Sequence, residues 1–250
     1  MSPRKPPVLV PWIIPAIIAA VGGSVAACRL FGLDWWPVLS VWRDWQAMSF
    51  STGVCFIGVA AVLWLVGRHN GLGQRACKVA SAFVLLAMGW QLAGHAFGFR
   101  AGLESLSVPL RKDNPGPAMG TMFAFIGAAL WGLLRDTRWA AGDRFTGTGV
   151  SIIGGMGLVG YAINVEAFKL AAEGGPGMAF HTSAMFLLTG LGILSVARPG
   201  HPADKPARIA VSMLLIVAVS LAIVSLRRAL GPAVIDHSDS IYLHSPGATK

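Results

Sequence analysis

Residues 178–186 read Met178-Ala-Phe-His-Thr-Ser-Ala-Met-Phe186 and open an apolar run with the spacing Met-x3-Thr-x3-Phe. The same spacing stands at Met48, Thr52 and Phe56 in MSFSTGVCF. A third, weaker copy holds Thr121 and Phe125 in GTMFAF, with Pro117 at the methionine position and Met119 nearby. Each copy begins a hydrophobic segment of membrane-spanning length, so the chain reads as one two-helix unit repeated three times.

Composition places these repeats in a membrane. Of 250 residues, 54% are hydrophobic and only 12% charged, where a soluble domain carries roughly 25% charged residues. Charge-free runs extend over Pro6–Cys28, Trp45–Gly67, Val79–Phe99, Asn114–Leu134, Phe145–Val165, Gly174–Ala197 and Ile209–Leu226. Each is close to the roughly 20 residues an α-helix needs to cross the hydrocarbon layer. The expected fold is therefore all-α, a polytopic bundle of seven transmembrane helices in one domain over residues 1–228. Three hairpins fall at about 8–67, 79–135 and 145–197, a last helix at 208–228, and a short polar tail at 229–250. A transmembrane β-barrel would need short alternating segments in place of continuous apolar runs.

The formal charge of +9 is spread over short loops and forms no clustered basic face, which points to anionic lipid headgroups and away from nucleic acid. Cys28, Cys55 and Cys77 lie in or beside spans without metal-type spacing and read as buried thiols. The start, with Arg4 and Lys5 ahead of an apolar run ending Val25-Ala-Ala-Cys28, imitates a secretory signal. Its apolar part exceeds the 7 to 15 residues of a signal core, and the first hairpin needs it as a helix, so it is expected to be retained. Trp35, Trp36, Trp42 and Trp45 crowd the next loop and read as an interfacial anchor, since the indole ring prefers the boundary between lipid and water.

Orientation follows from Lys and Arg. Loops on the side of the N-terminus hold Arg4, Lys5, Arg68, Arg75, Lys78, Arg135, Arg138, Arg144, Arg198, Lys205 and Arg208. The opposite side holds Arg29, Arg43, Arg100, Arg111, Lys112, Lys169, Arg227, Arg228 and Lys250. The excess predicts a cytoplasmic N-terminus and, after seven spans, an external C-terminus. In the fifth span, Gly147, Ser151 and Gly155 stand four residues apart, a small-residue face that lets another helix approach closely. Gly155, Gly157 and Gly160 also match a dinucleotide fingerprint, but no strand precedes them and they lie within a span.

The segments AMSFSTGVCFIGVAAVLWLVGR, GPAMGTMFAFIGAALWGLLRD and GMAFHTSAMFLLTGLGILSVARPG resemble the N-terminal multi-helix membrane region that precedes PAS, histidine-kinase or diguanylate-cyclase modules in bacterial sensor proteins. With their partner helices they cover most of residues 8–228. The resemblance implies a signal-receiving domain in the bacterial inner membrane. Since the chain ends at Lys250 without an output module, it is expected to act through a separate signalling protein. The chain is also similar to the MHYT type of membrane sensor, but only Met and Thr recur here. The copper ligands proposed for that type are not carried over.

Ionisable and polar residues within spans are the candidates for function. His95 in the third span and His181 in the sixth fall at similar depths, roughly 6 and 10 Å from their helix ends. A pocket lined by Gln91, His95, Tyr161, Asn164, His181 and Thr182 is expected in the outer half of the bundle. If a metal is held, His95, His181 and Met178 are its candidate ligands, because two imidazoles can ligate haem iron and His with Met suits copper. No cofactor is expected in the sensor-like reading. Asp236, His237, Asp239 and His244 read as a polar terminus. No Ser-His-Asp arrangement, metalloprotease motif or paired carboxylate lies within a span, which leaves no catalytic residues to name. The expected function is a sensor-like or accessory membrane protein. The alternatives are a haem- or copper-binding redox membrane protein and a small transporter, though the repeats run the same way where a transporter would invert them.

Overall fold

The computed structural model describes residues 10–39, 46–66, 71–97, 102–107, 116–135, 142–163 and 177–196. Among the described residues six long helices make the body: α1 (Val10–Phe31), α3 (Phe50–Val66), α4 (Gly71–Phe97), α5 (Met119–Leu134), α6 (Gly142–Ile163) and α7 (Phe180–Val196). A four-residue helix, α2 (Trp36–Leu39), follows α1, and a 3-10 turn at Leu103–Leu106 follows α4. The predicted last helix at 208–228, the polar tail and the tryptophans at 42 and 45 lie outside the described residues.

The helices pack in antiparallel pairs, α1 on α3, α4 on α5 and α6 on α7, and neighbouring pairs close a ring in which α7 returns to α1. Within the first pair, the Trp12 and Trp64 rings meet at one end, 5.9 Å apart, and Arg29 reaches the Met48 carbonyl at the other. Helices α3, α5 and α7 form the inner layer. Their buried positions run around most of the helix surface, as expected for elements covered on several sides. By contrast α4 exposes Leu72, Val79, Leu86 and Phe97, an outward apolar face of the kind lipid would cover.

Among the described residues three helices, Trp12–Phe31, α4 and α6, are long and apolar enough to cross a membrane, while α3, α5 and α7 are shorter apolar helices of 16 or 17 residues. The inner helices are short because the chain enters each in extended form: residues 46–49, 116–118 and 177–179 are non-helical, yet Met48, Ser49, Ala118, Met178 and Ala179 are buried. Irregular backbone at membrane depth is tolerated only where protein covers it or where it lines a polar cavity, so these lead-ins point to the interior of one bundle end. The charge-free run predicted to begin at Val79 differs from the observed helix: α4 starts at Gly71 and carries exposed Arg75 and Lys78. Arg and Lys are good helix formers, so charges delimit the apolar stretch but not the hydrogen-bonded ladder.

Close approach of the helices depends on glycine. A Cβ on Gly22 would lie 2.7 Å from the Gly53 carbonyl oxygen, and one on Gly154 2.5 Å from that of Ser183. Residues 53 and 183 each follow the repeat threonine, so two hairpins use the same contact. The predicted face of Gly147, Ser151 and Gly155 does meet a helix, with a shifted register: α7 is contacted through Gly147, Ser151, Gly154 and Gly157. Gly32, at φ 67°, ends α1 in the left-handed conformation that favours glycine. The Leu33 N–H then donates to the Cys28 carbonyl at 2.8 Å, closing a Schellman turn.

Candidate functional site: an axial cavity at one end of the bundle

The repeat residues meet on the axis of the bundle. In each inner helix the same position accepts the first intrahelical bond: Gly53 N–H donates to Ser49 O, Met122 N–H to Ala118 O and Ser183 N–H to Ala179 O, at 3.0 to 3.1 Å. Ser49, Ala118 and Ala179 are thus equivalent N-caps, the threonines stand three residues inside, and the phenylalanines one turn further. All three phenylalanines are fully buried. Their ring centroids form a triangle, 4.8 Å for Phe56–Phe125, 4.8 Å for Phe125–Phe186 and 5.1 Å for Phe56–Phe186, with tilted and edge-on geometries. Such arrangements place the positive ring edge near a negative ring face.

Above this aromatic floor, Thr52, Thr121 and Thr182 line one small, predominantly polar cavity together with Ser49 and the lead-in residues Pro117 and Ala179. It has room for on the order of one water-sized group. Pro117 occupies the lead-in position that Met48 and Met178 hold in the other repeats, which explains why the proline is compatible: the segment is extended there. Each threonine is 2% exposed. Thr52 is tied to its cap, with 2.7 Å between the Ser49 and Thr52 hydroxyl oxygens.

The rim differs between repeats. At α3 the Glu104 carboxylate, from the 3-10 turn of the next hairpin, accepts from Phe50 N–H at 3.3 Å, Ser51 N–H at 2.9 Å and the Ser51 hydroxyl at 2.5 Å. A negative group at a helix N-terminus answers both the unsatisfied N–H groups and the macrodipole. Ala118 caps α5 without a side-chain hydrogen bond, and Ala179, equivalent in α7, has no side-chain oxygen to supply one. Arg29 is buried beside this end and donates to the Met48 carbonyl through Nε at 3.3 Å and Nη2 at 3.1 Å.

Of the residues predicted for a pocket, Thr182 lines the cavity. Gln91 lies against its edge: its Oε1 is 3.9 Å from where a Cβ on Gly116, a lining residue, would be, and its Nε2 is buried without a hydrogen-bond partner among the described residues. His181 does not line the cavity. It sits in an aromatic group at the same bundle end, where Phe180 meets Tyr161 at 5.7 Å and His181 at 6.5 Å, and its Nδ1 is buried without a hydrogen-bond partner among the described residues. His95 is exposed on α4 and contributes nothing to the cavity. Met178 is buried toward α6, its sulfur 3.4 Å from the position a Gly157 Cβ would take. Asn164 lies outside the described residues. Among the described residues no group of three or more His, Cys, Asp or Glu side chains could hold a metal ion.

The sequence does not single out Arg29 or Glu104 for the site, because Arg29 counts there only toward orientation and Glu104 falls in a loop between spans. The opposite end holds another unforeseen contact: the Trp131 indole N–H donates to buried Asp143 at 2.7 Å, and Arg135 both stacks on Trp131 at 5.4 Å and donates to the Val196 carbonyl at 3.0 Å. Comparison of the chain with protein-family models, curated proteins and solved structures finds no match in any of the three.

Proposed function

We propose that this chain is a sensor-like or accessory protein of the bacterial inner membrane that receives a small ligand at the axial cavity and acts through a separate signalling protein. The observation that carries the reading is the cavity itself: three repeat threonines converge on a polar space that the packed ring of Phe56, Phe125 and Phe186 closes from below. A site open toward one side and sealed toward the other suits reception, whereas a transporter needs a path past that floor. The three hairpins share this floor, so a ligand that spreads or tightens their ends would alter the helix packing that a partner touches. In the full proposal seven spans cross the membrane with the N-terminus in the cytoplasm, as the distribution of Lys and Arg favours, and the cavity then faces outward.

Purification in mild detergent tests the reading. The expected preparation is colourless and free of metal, and it co-purifies stoichiometrically with a kinase or cyclase whose output changes when Thr121 and Thr182 are both replaced by valine. A Soret band or stoichiometric copper would replace it with the redox reading. Substrate flux in liposomes would replace it with the transporter.

A further inference from the structure

We propose that the outward face of α4 binds one anionic phospholipid, its phosphate held by Arg75 and Lys78 and an acyl chain laid along Val79, Phe83 and Leu86. The surface lies on the outside of the bundle, apart from the axial cavity, and its occupancy is measured without reference to the proposed signalling protein.

Residue spacing sorts α4 into two faces. Gly73, Cys77, Ser81, Val84 and Met88, three or four apart, are buried against the neighbouring helices. On the opposite side Val79, Phe83, Leu86 and Trp90 keep the same spacing and are 43% to 73% exposed, and α4 is the least buried of the three long apolar helices. Arg75 stands on this outward stripe one turn before Val79, and Lys78 flanks it, both exposed. Their aliphatic stems can lie along the apolar surface while the charged heads stay in the headgroup layer. The nearby chain is poor in counter-charge. Between Asp44 and Glu104 the sequence contains no Asp or Glu. Among the described residues Asp143 is the only carboxylate at this end of the bundle, and it is buried and accepts the Trp131 indole N–H. Arg29 and Arg135, by comparison, donate to carbonyl groups of the bundle itself. An anionic headgroup supplies the negative charge, and each cation near the membrane surface favours it about fivefold. The lengths agree as well. From Arg75 to Leu86 is about 16 Å along the axis, half of the roughly 30 Å hydrocarbon layer, so the stripe matches an acyl chain of the leaflet in which the phosphate lies. A soluble phosphate would meet the two cations but leave the stripe uncovered, which favours the intact lipid.

The test is native mass spectrometry of the full chain, released from detergent that holds equimolar phosphatidylglycerol and phosphatidylcholine with identical acyl chains. One phosphatidylglycerol should stay bound, preferred about 25-fold over phosphatidylcholine. Arg75→Gln and Lys78→Gln should each lower that preference about fivefold, and the double variant should bind the two lipids alike. Glutamine forms helix about as well as arginine or lysine, so α4 is kept in these variants. Arg75→Lys combined with Lys78→Arg leaves the charge unchanged and should keep the preference. Glycerophosphate at the concentration of the lipid should not displace it. The lipid site is ruled out if the parent retains both lipids equally, if the double glutamine variant discriminates like the parent, or if glycerophosphate displaces the lipid. A lipid-free dimer would also rule it out, because a second copy would then cover this face.

Discussion

Glu104 caps a helix in another hairpin, and its three hydrogen bonds to Phe50 and Ser51 bind the α4–α5 loop to the start of α3. Bonds to a charged group contribute about 1.5–3 kcal/mol each where they are partly buried. Glu104→Gln, which keeps the shape and removes the charge, should lower unfolding free energy by about 1–2 kcal/mol. Chemical denaturation in detergent measures this, and an unchanged midpoint would remove Glu104 from the account. Gly32 offers a second test at this scale. With φ at 67°, Gly32→Ala should destabilise by about 1 kcal/mol, whereas Gly23→Ala, where an added Cβ meets nothing within 4 Å, should be neutral or slightly stabilising. The sequence disclosed neither role. A glutamate in a loop reads as solvated, and only the fold brings residue 104 to residues 50 and 51.

Between helices, stability rests on close approach. Lipid is as apolar as the bundle interior, so packing and not transfer from water holds membrane helices together. Gly154→Ala would drive a Cβ to 2.5 Å from the Ser183 carbonyl oxygen and 2.6 Å from the Leu187 nitrogen, both backbone atoms of α7. The expected loss is about 1–3 kcal/mol, and Gly149→Ala, on the open face of the same helix, should instead gain a few tenths of a kcal/mol from propensity. Equal effects at the two positions, measured by thermal unfolding in nanodiscs, would contradict the α6–α7 interface. The small-residue spacing announced this contact in the sequence, since Gly147 and Ser151 lie on it. The register differs, with Gly154 and Gly157 in place of Gly155, because residues three or four apart on a helix share one face, and spacing alone does not choose between them. The interfacial tryptophans were legible in type, with Trp35 exposed beside α2. The extended lead-ins were not, because Ala118 and Ala179 look like ordinary helix formers.

At the scale of the molecule, a two-helix unit with a Thr-x3-Phe signature was legible because the motif residues share one structural position three times over. What spacing could not provide was their convergence on one axis, with His95 left exposed on α4. Searching for titratable groups in spans follows from their expense in lipid, but a threonine on the axis is a cheaper way to place a polar atom there. A reporter active only in the cytoplasm, fused after residue 250, should be silent if the proposed orientation holds, and its activity would turn the cavity toward the cytoplasm. The central claim, that three equivalent hairpins meet at one axis, is tested most directly by double-mutant cycles among Phe56, Phe125 and Phe186, each replaced by leucine, with unfolding followed in nanodiscs. All three pairs should couple by about 0.5–1.5 kcal/mol. Additive losses for any pair, showing that its rings do not touch, would contradict the threefold core.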